Sequence, residues 1–404
     1  MKILQINCVY GSGSTGHLVR ELHTAMQSEG IDSTVLYGRG KAPKDKGVYK
    51  TCPDLYAKGC KLISMCTGLR YGSCLISTAA LERRILREKP DLVHLQCING
   101  NFVNIYRLVK WLKTNSVPTV ITLHAEFPFT ANCSHAYDCD GWLHGCTSCP
   151  DGRRASGAFI PRTGASFKKM QDAFFGFEHL TVVSVSPWLE RRASGSPILG
   201  AAEQRVILNG VDTDVFCPQD TSELRSELKL SPGQVLLYVT ADFDPDPKHH
   251  KGAYYMLELA RRLREKNVTV LVACNRCADN ADLPDNVRML GRIDDSSRLA
   301  RLYALADATL VTGRRETFGM PCAESLCCGT PIVGFEAGGP ESISLPEYSS
   351  FVPYGDVDAL EKAAQHLMAQ EFAPETVAAA ASSVYSAAEM TRRYIELYRS
   401  MLCV

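Results

Sequence analysis

The chain has 404 residues, more than one ordinary α/β core organises, because single hydrophobic cores stop growing near ~250 residues. Hydrophobic residues make up 45% and charged residues 22%, which excludes a disordered chain. Lys and Arg number 44, as do Asp and Glu, so no global charge selects nucleic acid or an acidic polymer as partner.

No stretch approaches the ~20 apolar residues of a membrane span, and Met1-Lys2-Ile3-Leu4 runs into a strand rather than a signal peptide. A cytoplasmic location is the expectation. The 17 cysteines are then expected to be mostly reduced thiols.

In chain order, Lys2 to Cys8 alternates like a strand and leads into Gly11-Ser-Gly-Ser-Thr-Gly16, after which Leu18, Val19, Leu22, Ala25 and Met26 fall at helical spacing. Short apolar strands are predicted at Ser33 to Tyr37, Asp91 to Gln96, Thr119 to Leu123 and Thr181 to Val185. The pattern restarts after Asn209-Gly-Val-Asp212, with strands predicted at 234–240, 268–273, 287–290, 308–312 and 331–334. Helices are predicted at 254–266, 296–305 and 322–328. Strands alternating with helices imply parallel sheets, hence an α/β fold of two tandem Rossmann-like domains. The tail from Glu389 to Leu402 carries Tyr394, Leu397, Tyr398 and Met401 on one helical face and is expected to pack on a domain.

Gly11-x-Gly13-x-x-Gly16 lies between strand and helix, the context of a dinucleotide fingerprint, so an NAD(P)-dependent oxidoreductase is one reading. The acidic residue that would hold a ribose at the end of the second strand is missing; Leu36-Tyr37-Gly38-Arg39 stands there, and Arg39 suits only an NADP phosphate. Other readings are a tight turn without ligand, or a loop at the mouth of an interdomain cleft whose Gly13 and Gly16 approach a donor.

Arg315-Glu-Thr-Phe-Gly-Met-Pro-Cys-Ala-Glu324 holds two carboxylates eight residues apart. Gly319 and Pro321 mark a helix start, placing Glu316 in the loop and Glu324 about one turn into the helix. Carboxylates suit vicinal sugar hydroxyls, and the free N–H groups near Gly319 and Met320 suit phosphate.

Here the chain resembles the retaining glycosyltransferases of family 4, which have the GT-B fold, and the resemblance runs over nearly the whole chain. In that family E-x-F-G-x-P-x-x-E marks the donor site. The resemblance implies that Glu316 contacts the transferred sugar, that Phe318, Gly319 and Met320 supply backbone groups, and that Glu324 binds the nucleotide ribose. It also implies that Asn209-Gly-Val-Asp212 is the interdomain turn, Gly338-Gly339-Pro-Glu341 a phosphate-side loop, and Lys251-Gly252 a diphosphate-binding lysine at a helix start. The Arg that the family commonly places before this lysine is absent, and Lys248 is the substitute. The implied organisation is an acceptor-side domain at 1–215, a donor domain at 216–386 and a helix at 387–404 returning to the first domain, with the two domains facing a cleft.

Asp242-x-Asp244-x-Asp246 is similar to the metal motif of transferases with the other common fold. We read it as non-metal, because basic residues follow it and a hard cation needs several convergent oxygens. His124, at the carboxyl end of a strand, is placed to donate to a sugar hydroxyl; similar enzymes follow this histidine with Asp, where Ala125 and Glu126 stand here.

Cys133, Cys139, Cys146 and Cys149 form a C-x5-C-x6-C-x2-C run that suits structural zinc, with packed reduced thiols or disulfides as alternatives. Similar cysteines occur in the branch resembling colanic-acid and other exopolysaccharide transferases. Cys274-x-x-Cys277 is read as two thiols at a helix start.

Residues 41–89 carry eleven basic against four acidic side chains, interspersed with Leu62, Ile63, Met65, Leu69 and Leu75. That combination suits peripheral contact with the inner face of an anionic membrane bearing a lipid-linked glycan, and equally a solvated surface over a core helix. The resemblance implies transfer of a sugar from a nucleoside diphosphate with retention and without a catalytic metal, in surface polysaccharide synthesis. His124, Glu316 and Lys251 are the catalytic candidates, and no nucleophile is evident. A GT-B-like sugar-nucleotide epimerase is the other alternative.

Overall fold

β1 (Lys2–Asn7), β4 (Leu92–Leu95), β5 (Thr119–Leu123) and β6 (Leu180–Ser184) are buried along almost their whole length, the pattern of strands with helices on both faces. With β2 (Asp32–Tyr37), β3 (Val48–Lys50) and β7 (Glu203–Val206) they form one parallel sheet, in the order β3-β2-β1-β4-β5-β6-β7. A second parallel sheet follows the order β10-β9-β8-β11-β12-β13, from β8 (Gln234–Phe243), β9 (Val268–Cys277), β10 (Val287–Gly291), β11 (Ala308–Val311), β12 (Ile332–Phe335) and β13 (Ser349–Val352). The computed structural model describes residues 1–41, 43–278 and 282–403.

Each sheet is the core of one compact unit, the first Met1–Ile207 plus the residues from Met390, the second Leu208–Glu389. Both have the doubly wound Rossmann order, which reverses direction between β1 and β4 and between β8 and β11. The helix Ala387–Leu402 buries Met390, Tyr394, Ile395, Leu397 and Tyr398 with Ile3, Leu18, Leu92 and Val120 of the first sheet's core. Its apolar face thus completes the first unit, although it lies at the far end of the chain. The Asn209–Asp212 turn packs in the second unit, where Val211 accepts from Ala387 and donates to the Tyr385 carbonyl.

The reading of Cys274 and Cys277 as helix-start thiols is corrected. β8 and β9 stay in register from Gln234↔Val268 to Phe243↔Cys277, so both cysteines sit in a long strand. A ten-residue partner extends the ladder past the apolar run that sequence periodicity detects. β3, β7 and β13 were also illegible: they are short, half-exposed edge strands with no buried face to pattern. Among the described residues no helix is long and apolar enough to cross a membrane.

Candidate active site

In the second unit the loops after β8 and β11 leave the sheet where the strand order reverses, the position at which open α/β sheets bind ligands. The β8 loop ends at Lys251 and Gly252, and the helix Ala253–Leu263 follows. Gly252 has φ +73°, and a Cβ there would lie 2.0 Å from the Thr312 carbonyl oxygen. Only glycine lets this helix start close onto the end of β11. The Lys251 carbonyl accepts from Tyr238 Oη at 2.6 Å, and Thr312 Oγ1 donates to the Gly252 carbonyl at 2.9 Å. The backbone of Lys251 is therefore held from two strands, and its Nζ lies 2.6 Å from Glu316 Oε1.

Glu316 is held just as firmly. Its N–H donates to the Ala337 carbonyl at 3.1 Å, and its carbonyl accepts from the Gly339 N–H at 2.9 Å. A Cβ on Gly339 would lie 2.4 Å from the Thr317 carbonyl carbon, so the 338–339 glycines let two backbones touch. The backbone donors of the Gly338-Gly339 loop, read as lying on the phosphate side, have partners within the protein. The N–H groups of Ala337 and Gly338 go to the two Glu341 carboxylate oxygens at 2.9 and 2.7 Å, and that of Gly339 goes to Glu316. The amide donors of 337–339 are spent on shaping the Glu316 loop.

Beyond it, Gly319 caps the helix Met320–Cys327; Pro321 has no N–H and the Cys322 N–H donates to the Gly319 carbonyl at 2.9 Å, so what this start presents is the positive end of the helix dipole. Phe318 is buried beneath it. Glu324 lies within this helix, and its Oε2 accepts from Tyr303 Oη at 2.9 Å. Burial raises its pKa to about 7, against the opposing pull of the Tyr303 hydrogen bond.

Lys251, Glu316, Phe318, Gly319 and Met320 are thus gathered on neighbouring loops, and Glu324 points to a tyrosine on the adjoining helix Ser296–Leu305. Lys248 is exposed, and its backbone N–H is engaged by Asp246 Oδ1 at 2.8 Å. The acidic run is used within the protein: Asp242 takes Arg276 Nε at 2.5 Å, and Asp244 caps the N–H of Asp246 at 2.9 Å. Arg276 stands opposite Asp242 in the β8–β9 register, which puts an arginine at the end of the strand beside the β8 loop. Sequence spacing could not show it, because the two residues are joined only by strand pairing.

In the first unit, Gly13 and Gly16 belong to the helix Gly13–Ser28, and the loop closes through Gly11 N–H to the Gly16 carbonyl at 2.9 Å. Arg39 Nη1 donates to the Gly100 carbonyl at 3.3 Å. His124 follows β5, and its Nε2 lies 2.9 Å from Gln96 Oε1. The amide nitrogen of Gln96 faces Gln5 Oε1 and His94 Nδ1, both at 3.3 Å. His94 in turn meets Tyr398 Oη and Thr122 Oγ1, each at 2.7 Å.

This network ties the His124 ring to Gln96 through Nε2. Burial lowers the His124 pKa to about 4, so the ring is neutral near pH 7. His124 stands at the carboxyl end of β5, the place from which the sequence reading has it meet a sugar hydroxyl. Glu126, two residues on, is fully buried, paired with Arg192 Nε at 2.5 Å and capping the Ala136 N–H. The four quartet cysteines, all free, line one cavity just beyond.

The family model described as Glycosyltransferase Family 4 matches residues 15–215, and that of Glycosyl transferases group 1 matches 235–384. The chain belongs to glycosyltransferase family 4. This glycosyltransferase is 20% identical to WcaC of Escherichia coli K12, named as a putative colanic acid biosynthesis glycosyl transferase, over 99% of this chain and 100% of that protein. Its fold is that of sucrose-phosphate synthase from Thermosynechococcus elongatus, at TM-score 0.66, 17% identity and full coverage of both chains. It is equally that of Anabaena HepE in complex with UDP, at TM-score 0.66 and 14% identity over 99% and 100%. Tyr238, Thr312 and Tyr303, which hold this glycosyltransferase's site in shape, were invisible in the sequence. Each reads there as an ordinary strand or helix residue.

Proposed function

We propose that this glycosyltransferase moves a sugar from a nucleoside-diphosphate sugar to a hydroxyl of a glycan or lipid-linked acceptor, with retention, in the synthesis of a surface polysaccharide. The observation that carries the reading is the Lys251–Glu316 pair at 2.6 Å beside the capped start of helix Met320–Cys327. The name of the E. coli relative and the UDP bound to the Anabaena structure support it.

Lys251 and the helix start stabilise charge developing on the departing diphosphate. Glu316 accepts from hydroxyls of the transferred sugar, Glu324 from the ribose hydroxyls, and His124 hydrogen-bonds a sugar hydroxyl. With no nucleophile assigned, the departing phosphate serves as base in a same-face attack. Exposed Lys248 is the further cation available to the diphosphate.

The test uses the pH behaviour of Glu324. An acid whose folded pKa lies above its unfolded value is favoured protonated in the fold. The stability it contributes is present at low pH and is lost as pH rises through about 7. The ribose requires the ionised form, so affinity for UDP, GDP or ADP, whichever binds, rises as pH goes from about 6 to about 8, across that value. Calorimetry on Glu324→Gln should give a weaker and flatter profile, since titration of the nucleotide phosphate is common to both proteins. Identical profiles for the two proteins, or thermal stabilisation by NADP alone, would sink the reading. Acceptor-dependent release of nucleoside diphosphate separates transferase from epimerase.

We propose in addition that the protein meets an anionic membrane through one exposed apolar and basic surface. On helix Asp54–Thr67, Leu55, Leu62 and Ile63 are exposed beside exposed Lys58 and Lys61. Phe159 and Ile160, 60% and 68% exposed, join the end of that helix through the Phe159 N–H to Met65 carbonyl bond of 3.0 Å. Not all of the basic run is available: Arg70 serves the carbonyls of Asn132 and Ala155, and Arg84 lies over Tyr49. Leu62→Glu with Ile63→Glu should cut sedimentation with vesicles containing about 30% phosphatidylglycerol by roughly tenfold or more and leave UDP affinity unchanged. Parent protein that stays in the supernatant would remove the proposal.

A further inference from the structure

Between Ala131 and Arg162 the first unit has only the 3-10 turn Gly141–His144 and the five-residue helix Gly152–Ser156. Connections this long with so little regular structure need another source of order. One end is tied by the buried Glu126 carboxylate, which binds Arg192 and the Ala136 N–H. Within the segment, Cys133, Cys139, Cys146 and Cys149 all line a single cavity of about 20 Å³. None is in a disulfide. The space is about that of one water, hence of one ion. Asn132 Oδ1 and Trp142 Nε1, on residues lining the same cavity, are buried without hydrogen-bond partners among the described residues.

We infer that these four cysteines form a tetrathiolate site for one soft divalent cation, zinc by its chemistry, which fastens the 131–162 segment. The lining holds no carboxylate and no imidazole, which disfavours calcium or magnesium and matches the closed all-thiolate set of structural zinc. Among the described residues no three ligand side chains already stand in coordination geometry. A cysteine sulfur moves by rotation about one χ1 bond, so closing the set needs side-chain rotation around a cavity that all four already border. On binding, four S–H protons pass to solvent and four Zn–S bonds form, with no change of oxidation state. The resulting net negative charge is offset by Arg70, whose Nη1 donates to the carbonyls of Asn132 at 2.6 Å and Ala155 at 2.5 Å. Because Glu126 is two residues from His124, the fastened segment also steadies the end of β5.

The test begins with the parent protein, purified under reducing conditions without added metal. Elemental analysis should find one zinc per chain, released stoichiometrically as a mercurial titrates four thiols, and X-ray absorption should show a sulfur-only shell at about 2.3 Å. Cys139→Ser and Cys146→Ser should lose nearly all of the zinc and melt at lower temperature, whereas Cys66→Ser and Cys277→Ser, both at exposed positions, should keep it. If the Ser variants fail to fold, the parent's metal content still decides. Folded parent protein without zinc and with all thiols freely titrating would overturn the inference in favour of packed thiols. A mass lower by the hydrogens of one or two disulfides would overturn it in favour of oxidation.

Discussion

Glu316→Gln should lower turnover by ~10²–10³-fold while affinity for free nucleoside diphosphate stays the same or tightens. In the structure Glu316 Oε1 holds Lys251 Nζ at 2.6 Å, so the carboxylate competes with an incoming diphosphate for the same ammonium. Neutralising it removes the competitor and also the acceptor for sugar hydroxyls, which counts most as positive charge builds at the anomeric carbon. Lys251→Ala should act in the opposite way on binding, weakening the nucleoside diphosphate by ~10–100-fold through loss of charge-assisted hydrogen bonds. The separation of kcat from diphosphate affinity is the diagnostic result. A folded Glu316→Gln protein that loses diphosphate binding would remove Glu316 from the sugar side, and melting curves on each variant distinguish this from unfolding.

The second large effect is structural. Gly252→Ala should destabilise the second unit by ~3 kcal/mol or more. About 1–2 kcal/mol comes from forcing alanine into the left-handed region at φ +73°. The rest comes from a Cβ placed 2.0 Å from the Thr312 carbonyl oxygen, an overlap that only backbone movement relieves. Gly291 supplies the control, with φ +70° and nothing within 4 Å of its Cβ position. Gly291→Ala should therefore cost only the conformational part. Urea denaturation of the two variants reads the difference directly. Equal midpoints would mean that the Lys251 helix start is not packed on β11 as described.

Much of this was legible in the residues. Alternating strands and helices, repeated after residue 232, dictate two α/β units, and the apolar face of the tail dictates that it packs, because burial of one helical stripe follows from 3.6-residue periodicity. Glycine and proline around Glu316 dictate a loop followed by a helix start, since the conformations allowed to those residues are local properties. The spacing of the four cysteines raised the zinc alternative by the same local reasoning.

What each side chain meets was not legible, because partners are chosen by strand register and packing between residues far apart in sequence. The β8–β9 register sets Arg276 against Asp242, and the Glu341 carboxylate and the Glu316 carbonyl take the amides of 337–339. Gln96, from β4's end, sets the partner of His124 Nε2, and burial decides that the ring is neutral. Likewise Lys251 and Glu316 are 65 residues apart in the chain and 2.6 Å apart in space. Sequence determines which conformations and charges each segment has available; the pairing of buried polar groups, each of which must find a partner once water is excluded, is determined only when the sheets assemble.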